Sequence, residues 1–328
     1  MRAMVMKAFG GPDVLEIQDI PVPEPGPLDL LVQVHATAVN PVDCKTRSAP
    51  RWGDRAPPMV LGFDVSGTVV EVGREVKAFE VGNEVYASPS LLRDGANAEY
   101  VVIDARSAAR IPATLKHEQA AALPLVSLTA WESLFSHGRI ESGETVLIHA
   151  GAGGVGHIAI QLARQHGCRV ITTAGHEGSL EMCRSLGAEV VINYKSENVI
   201  ERVMDETQGE GCPMVFDTVG GPVFTECIEL VALNGRLVTI VPGIPAENLN
   251  KLFGRNASLH FEFMGATQLN GRDPSHQGLI LEKVARLVDA GSLRPVIENV
   301  WELEQLPEAH DRQETQRSVG KQVVRVRK

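Results

Sequence analysis

Apolar and polar positions change their rhythm once along this chain. In the first third, short runs rich in β-branched residues recur: Leu30 to Val34, Gly67 to Val72, Asn83 to Ala87 and Ala98 to Ile103. Pro21, Pro23, Pro25, Gly26 and Pro27, then Pro57 and Pro58, punctuate them. Short strands with such turns predict a compact β-barrel or sandwich. From Glu144 onward, strands alternate with helices. Glu144 to Ala150 reads as a buried strand, and Val155, Ile158, Ala159, Leu162 and Ala163 recur at helical spacing. Further strands follow at Arg169 to Thr173, Val190 to Ile192, Met214 to Asp217 and Arg236 to Val241. Helices are expected between them at Ser179 to Leu186, Glu197 to Glu206 and Val223 to Leu233. This alternation predicts a parallel sheet with helices on both faces. Near the end, Leu279, Ile280, Val284, Leu287 and Val288 form a helical stripe that stops at Gly291, and Gln322 to Val326 reads as a last strand. Arg236 to Val241 and Ser258 to Phe263 are candidate edge strands.

Composition narrows the classes. A chain of 328 residues fits about two domains. Its net charge of -10 disfavours nucleic acid and anionic membrane surfaces as partners. The five cysteines are scattered, with no C-x-x-C, which excludes a disulfide scaffold and a clustered metal site. A reducing, cytoplasmic setting is the simplest expectation. Met1 to Gly10 lacks the apolar stretch of a signal peptide, and no run approaches the length of a membrane span.

The sharpest chemical signal is the segment from Val146 to Gly156. Gly151, Gly153 and Gly156 fit G-x-G-x-x-G between a strand and an amphipathic helix, with another strand beyond. The first glycine permits the tight turn, the second a close approach of backbone to pyrophosphate, the third close helix packing. The helix N-terminus adds free N–H groups for phosphate. At the tip of the next strand, Thr173, Ala174, Gly175 and His176 offer no carboxylate for a ribose 2′-hydroxyl. That favours NADPH, with NADH possible, and His176 either meets the 2′-phosphate or is a solvated turn residue. Tyr194 either lies against the adenosine end or caps the sheet edge.

Taken together, several segments resemble the zinc-free quinone oxidoreductases of the medium-chain dehydrogenase/reductase superfamily. They are Asn40-Pro41-Val42-Asp43-Cys44-Lys45, Leu61 to Gly67, Phe79 to Val85, Leu123 to Trp131, Ala152 to Gly156, Leu186 to Ala188, Asp217 to Gly221, and Gly320-Lys321. The resemblance implies a GroES-like catalytic domain over 1–123, completed by 266–328, and a Rossmann domain over 124–265, with the active site between them. It also implies a homodimer. Zinc-bearing members carry Cys where this chain has Asn40, and Gly-His-Glu where it has Gly62-Phe63-Asp64. The cysteine-rich structural lobe is missing as well, so no metal is expected. The implied catalytic set is Asn40 and Lys45 near nicotinamide and substrate, with Asp43 holding the loop or pairing with a base. The implied cofactor set is Thr129, Gly151, Gly153, Gly154, Val155, Gly156, Thr173, His176, Tyr194 and Gly243. Ser179 stands where relatives often place a lysine near the 2′-phosphate.

The expected activity is zinc-independent hydride transfer from NADPH to a quinone or an α,β-unsaturated carbonyl, because conjugated acceptors delocalise the incoming charge. One-electron quinone reduction has the same sequence. The alternatives are an enoyl-thioester reductase of the same fold and an NADPH-binding sensor or structural protein.

Overall fold

The computed structural model describes residues 1–51, 53–243, 246–315 and 318–327, with backbone alone at 246–248. The chain divides into two units, Met1–Leu128 with Gly265–Lys328, and Thr129–Met264. Pro124 to Leu128, expected to open the cofactor domain, fall in the first unit. There the Leu125 N–H donates to Asp64 Oδ1 at 2.7 Å.

The first unit begins with β1 (Arg2–Met6), β2 (Leu15–Asp19), β3 (Asp29–Val39), β4 (Met59–Val60), β5 (Val65–Val72), β6 (Glu84–Ala87), β7 (Tyr100–Asp104) and β8 (Ala109–Arg110). The β-branched runs become β3 and β5, paired antiparallel. Their inward residues Val32, Val34, Val65 and Val69 are fully buried with Val85 and Val101. β2, β1 and β4 form a small separate sheet.

In the second unit, β9 (Thr145–Ile148), β10 (Arg169–Ala174), β11 (Val190–Asn193), β12 (Cys212–Asp217), β13 (Val231–Thr239) and β14 (Ser258–Phe261) form one sheet. Its order is β11-β10-β9-β12-β13-β14, and every pairing is parallel. The order reverses between β9 and β12, so the ligand crevice of such a sheet opens at the carboxyl ends of those strands. Of the two candidate edge strands, only the later one is an edge. Arg236 to Thr239 lie inside β13, covered on their far side by Ser258 to Phe261.

The chain then returns to the first unit for β15 (Ile297–Glu302) and β16 (Lys321–Arg325). β16 pairs antiparallel with β3, Gln322 opposite Val39, so the last strand lies inside the large sheet and not at its rim. The late helix spans Ser275–Asp289. Ile280, Leu281, Val284 and Val288 face inward, whereas Leu279, counted in the sequence stripe, is exposed. One residue of helical rotation separates the two readings.

Candidate active site

The turn that follows β3 is organised around buried charge. Asn40 caps the helix Pro41–Ser48, and Pro41 sits at its first position, where the missing N–H costs nothing. Asp43 reaches back one turn. Its Oδ2 accepts from the Asn40 N–H at 2.8 Å, the acidic half of a capping box, and its Oδ1 accepts from the Gly62 N–H at 3.0 Å. Asn40 turns its side chain inward. Nδ2 donates to Asp64 Oδ2 at 2.8 Å and to the Ala38 carbonyl at 3.3 Å. Oδ1 accepts from Lys321 Nζ at 2.5 Å. The same ammonium donates to Asp64 Oδ2 at 3.0 Å and to the Val39 carbonyl at 3.4 Å. Asn40, Asp43, Asp64 and Lys321 are all at most 2% exposed, so none of this exchange is with bulk water.

Burial pushes both carboxyls upward. Asp64 is opposed by Lys321 beside it and by the donors Asn40 and Leu125. Asp43, farther from the ammonium, is pushed up to about 7 by burial, with the Asn40 N–H pulling the other way and the Asp64 charge adding to the rise. Asn40 was expected near nicotinamide and substrate, and Asp43 to hold the loop or pair with a base. The Asn40 side chain hydrogen-bonds to Asp64 and Lys321, and that of Asp43 to the Asn40 and Gly62 N–H groups. Lys45 differs. It is exposed on the helix, and among the described residues no side chain pairs with its ammonium. Partial desolvation, then the neighbouring Arg51 charge, lowers its pKa.

Behind the helix lies a second polar group. Arg47 is buried, donates to the Gly10 carbonyl and to Glu314, and its Nη1 lies 3.1 Å from His310 Nδ1. Burial first, then Arg47, depresses His310 to about 3, so the ring is neutral and accepts from the guanidinium. Cys44 Sγ lies 3.6 Å from the same nitrogen, and burial raises this thiol far above the reactive range.

In the second unit, the glycine segment forms the turn from β9 into the helix Gly156–Gln165. Ala150 takes the left-handed region at φ 50°. A Cβ at Gly151 would lie 2.1 Å from Thr172 Oγ1, and one at Gly156 would lie 2.3 Å from the Ala150 carbonyl. These two glycines are therefore required by packing. At Gly153 the nearest atom would be 3.2 Å away, so this glycine keeps the outer surface of the turn low. Among the described residues, the N–H groups of Gly154, Val155 and Gly156 meet no backbone acceptor. They form a row of unspent donors at a helix N-terminus.

Thr173 is buried and holds this turn from β10. Its Oγ1 accepts from the Ala150 N–H and its carbonyl from the Gly151 N–H, each at 3.0 Å. His149 is buried beside it, and burial depresses its pKa to about 4. Past β10, His176 caps the helix Glu177–Ser185, its Nδ1 accepting from the Ser179 N–H at 3.2 Å. The ring that sequence reasoning offered to a 2′-phosphate thus has a local role already. Tyr194 lies over Gly175, where any Cβ would come within 2.5 Å of its hydroxyl. The ring is 54% exposed at the strand tip and so presents a face there. Thr129 is buried at the start of the unit. Gly243 stands in the loop after β13 with φ 99°, and no atom of the described residues lies within 4 Å of where a Cβ would stand.

The alcohol dehydrogenase GroES-like domain pattern matches residues 26–113, and the pattern described as zinc-binding dehydrogenase matches 186–324. The chain is 35% identical to a zinc-type alcohol dehydrogenase-like protein of Staphylococcus epidermidis over 93% of each chain. It is 31% identical to the quinone oxidoreductase of Rattus norvegicus, over 95% of this chain and 93% of that one. The chain belongs to the medium-chain dehydrogenase/reductase superfamily, in its quinone oxidoreductase branch. Among solved structures, an alcohol dehydrogenase superfamily protein from Novosphingobium aromaticivorans superposes with a TM-score of 0.93, at 35% identity and full coverage of both chains. The Escherichia coli quinone oxidoreductase complexed with NADPH gives 0.89 at 26% identity, covering 99% of this chain and 100% of that one.

Membership raises two fit questions. Zinc needs thiolate, imidazole or carboxylate donors in a tetrahedral set. This member of the superfamily offers a carboxamide, a phenyl ring and one carboxylate at Asn40, Phe63 and Asp64, and an ammonium already fills the space between the two polar ones. Among the described residues, no group of three His, Cys, Asp or Glu side chains is placed to hold a metal. The donor set does not fit zinc. A nicotinamide dinucleotide does fit the second unit, where the low glycine turn and its free N–H groups can receive a pyrophosphate.

Sequence reasoning missed Lys321 as a site residue. It left this lysine outside the last strand, although Lys321, Val323 and Arg325 alternate with Gln322 and Val324 through β16. Gly320-Lys321, among the segments that carry the resemblance, was the available signal.

Proposed function

We propose that this enzyme is an NADPH-dependent, zinc-independent reductase of quinones or α,β-unsaturated carbonyls. The observation that carries the reading is the buried Asn40–Asp64–Lys321 contact, which gives the turn its cation from a side chain. A donor set of this kind suits an acceptor that spreads charge through its own conjugated system. When bound, NADPH supplies the hydride. Gly154, Val155 and Gly156 would hold its pyrophosphate through their N–H groups, with Thr173 fixing the turn beneath. Tyr194, His176 and Ser179 would frame the adenosine end, and Thr129 and Gly243 would complete the cofactor site. Lys45, whose ammonium has no side-chain partner among the described residues, would steady negative charge on an acceptor oxygen. Asn40 and Asp43 keep the helix that carries it in register.

A homodimer is part of the same reading. Among the described residues no strand pairs with the outer edge of β14, and Phe253, Phe261 and Phe263 nearby in sequence are 88%, 55% and 38% exposed, more apolar surface than an edge left in water would carry. A cytoplasmic site of action is proposed with it. Among the described residues no helix is long and apolar enough to cross a membrane.

The test is loss of reduced-nicotinamide absorbance against a panel of quinones and enones, with and without a chelator. We expect turnover with conjugated acceptors that the chelator leaves unchanged, and slower turnover with NADH. Tight NADPH binding without turnover of any acceptor would overturn the enzymatic reading. Equal use of NADH would overturn the cofactor preference alone.

A further inference from the structure

Lys321 lies 281 residues from Asn40 and 257 from Asp64, yet its ammonium touches both. A buried lysine normally sheds its charge unless it is paired and fully hydrogen-bonded. Here it has three acceptors: the Asn40 carboxamide oxygen, one Asp64 oxygen and the Val39 carbonyl. Asp64 in turn takes Asn40 Nδ2 on the same oxygen and the Leu125 N–H on the other. Every atom of the cluster is therefore oriented by another. The Asn40 carboxamide cannot flip, because a flip would set its NH₂ against the ammonium. With Asn40 locked, its backbone N–H is aimed at Asp43, and Asp43 draws in Gly62. The chain of contacts runs from the last strand to the first turn of the helix that carries Lys45.

We propose that Lys321 is a positioning residue of the reaction: through Asn40 and Asp64, its ammonium sets the geometry of the Asn40–Lys45 turn. This deepens the reductase reading and rests on it for the location of the chemistry. The groups that face the ammonium are Asp64, from the segment before β5, and Asp43, from the helix. No covalent step is involved. The lysine does not touch substrate.

The test compares Lys321→Met, Lys321→Ala and the double variant Asp64→Asn/Lys321→Met with the wild type. For Lys321→Met we expect kcat with the best acceptor to fall by about tenfold or more, while the NADPH dissociation constant stays unchanged. The pH profile of kcat/KM should also shift upward, since Asp43 and Asp64 lose their counter-charge. A purely structural lysine would lower the melting temperature and leave that profile in place. Propylammonium should restore part of the rate to Lys321→Ala in a saturable way. If Lys321→Met does not fold, the double variant, which leaves neither partner of the Asp64–Lys321 ion pair unmatched, serves instead and should stay slow. Wild-type kcat and an unmoved pH profile in either variant would overturn the proposal. Amide exchange at Asn40 and Gly62, faster in the variants, reads the same proposal without turnover. It therefore separates a failure here from a failure of the reductase reading, in which the wild type itself is inactive on every acceptor.

Discussion

Each unit buries a pair of carboxyl groups, and the two pairs settle their charge differently. In the first unit, Asp43 and Asp64 share the neighbourhood of Lys321 and are held by the N–H groups of Asn40, Gly62 and Leu125. In the second, Glu262 is 4% exposed and hydrogen-bonds Glu132, the first residue of the helical segment Glu132–His137. His137 Nε2 lies 2.9 Å from Glu262 Oε2, and Glu262 Oε1 is buried with no hydrogen-bond partner among the described residues. Burial, then the Glu132 charge, holds Glu262 far above the usual carboxylate range, so this pair keeps a proton at neutral pH. One pair is balanced by a cation within the fold and the other by a proton from solvent. Asp43, raised to about 7, gives up its proton near neutrality, whereas Glu262 holds its proton to higher pH.

The largest test of this contrast is to remove one partner from each pair. Asp64→Leu strands a buried ammonium and should cost about 3–5 kcal/mol in denaturant unfolding. Glu262→Gln removes only a proton acceptor from a group already neutral and should change stability by no more than about 1 kcal/mol at neutral pH. Equal losses would break the comparison. The next test is alkaline pH. A carboxyl raised in the folded state gives stability that is complete below its unfolded pKa, about 4.3, and is lost as pH rises through the folded value. Wild-type stability should therefore decline on the alkaline side, and Glu262→Gln should flatten that decline. Acid provides a smaller test of opposite sign. His310 is depressed to about 3, so its contribution is complete above about 6.5 and is lost as pH falls toward 3. His310→Gln should reduce that acid sensitivity. The smallest expected effect is that of metal. Adding zinc or chelator should move neither the melting temperature nor the turnover rate, and a chelator-sensitive rate would mean that Lys321 does not supply the cation of the site.

The features legible in the sequence were those made by neighbours in the chain. The glycine turn, the alternation of β9 to β13 with helices, and the Asn40–Lys45 segment all depend on short spacings that local rules describe. Less legible were features made by distant segments. Nothing near Asn40 says that its carboxamide meets Lys321, and nothing near Glu132 says that Glu262 lies against it. The same limit applies to β13, which looks like an edge until Ser258 to Phe261 cover it. For His176 a further role went unread. A histidine after a strand reads as a ligand or a solvated side chain, whereas a nitrogen acceptor three residues before a free N–H also makes a helix cap.

The place of β16 in the large sheet has a consequence for how the protein is made. Thr129–Met264 is continuous in sequence and can fold as soon as it leaves the ribosome. The first unit cannot. β3 must wait through the synthesis of the whole second unit before β16 arrives to pair with it. During that interval one side of β3 and the buried carboxylate of Asp64 lack their partners. The nascent first unit is thus the exposed, aggregation-prone stage of biosynthesis, and Lys321 joins only after the whole second unit has been made.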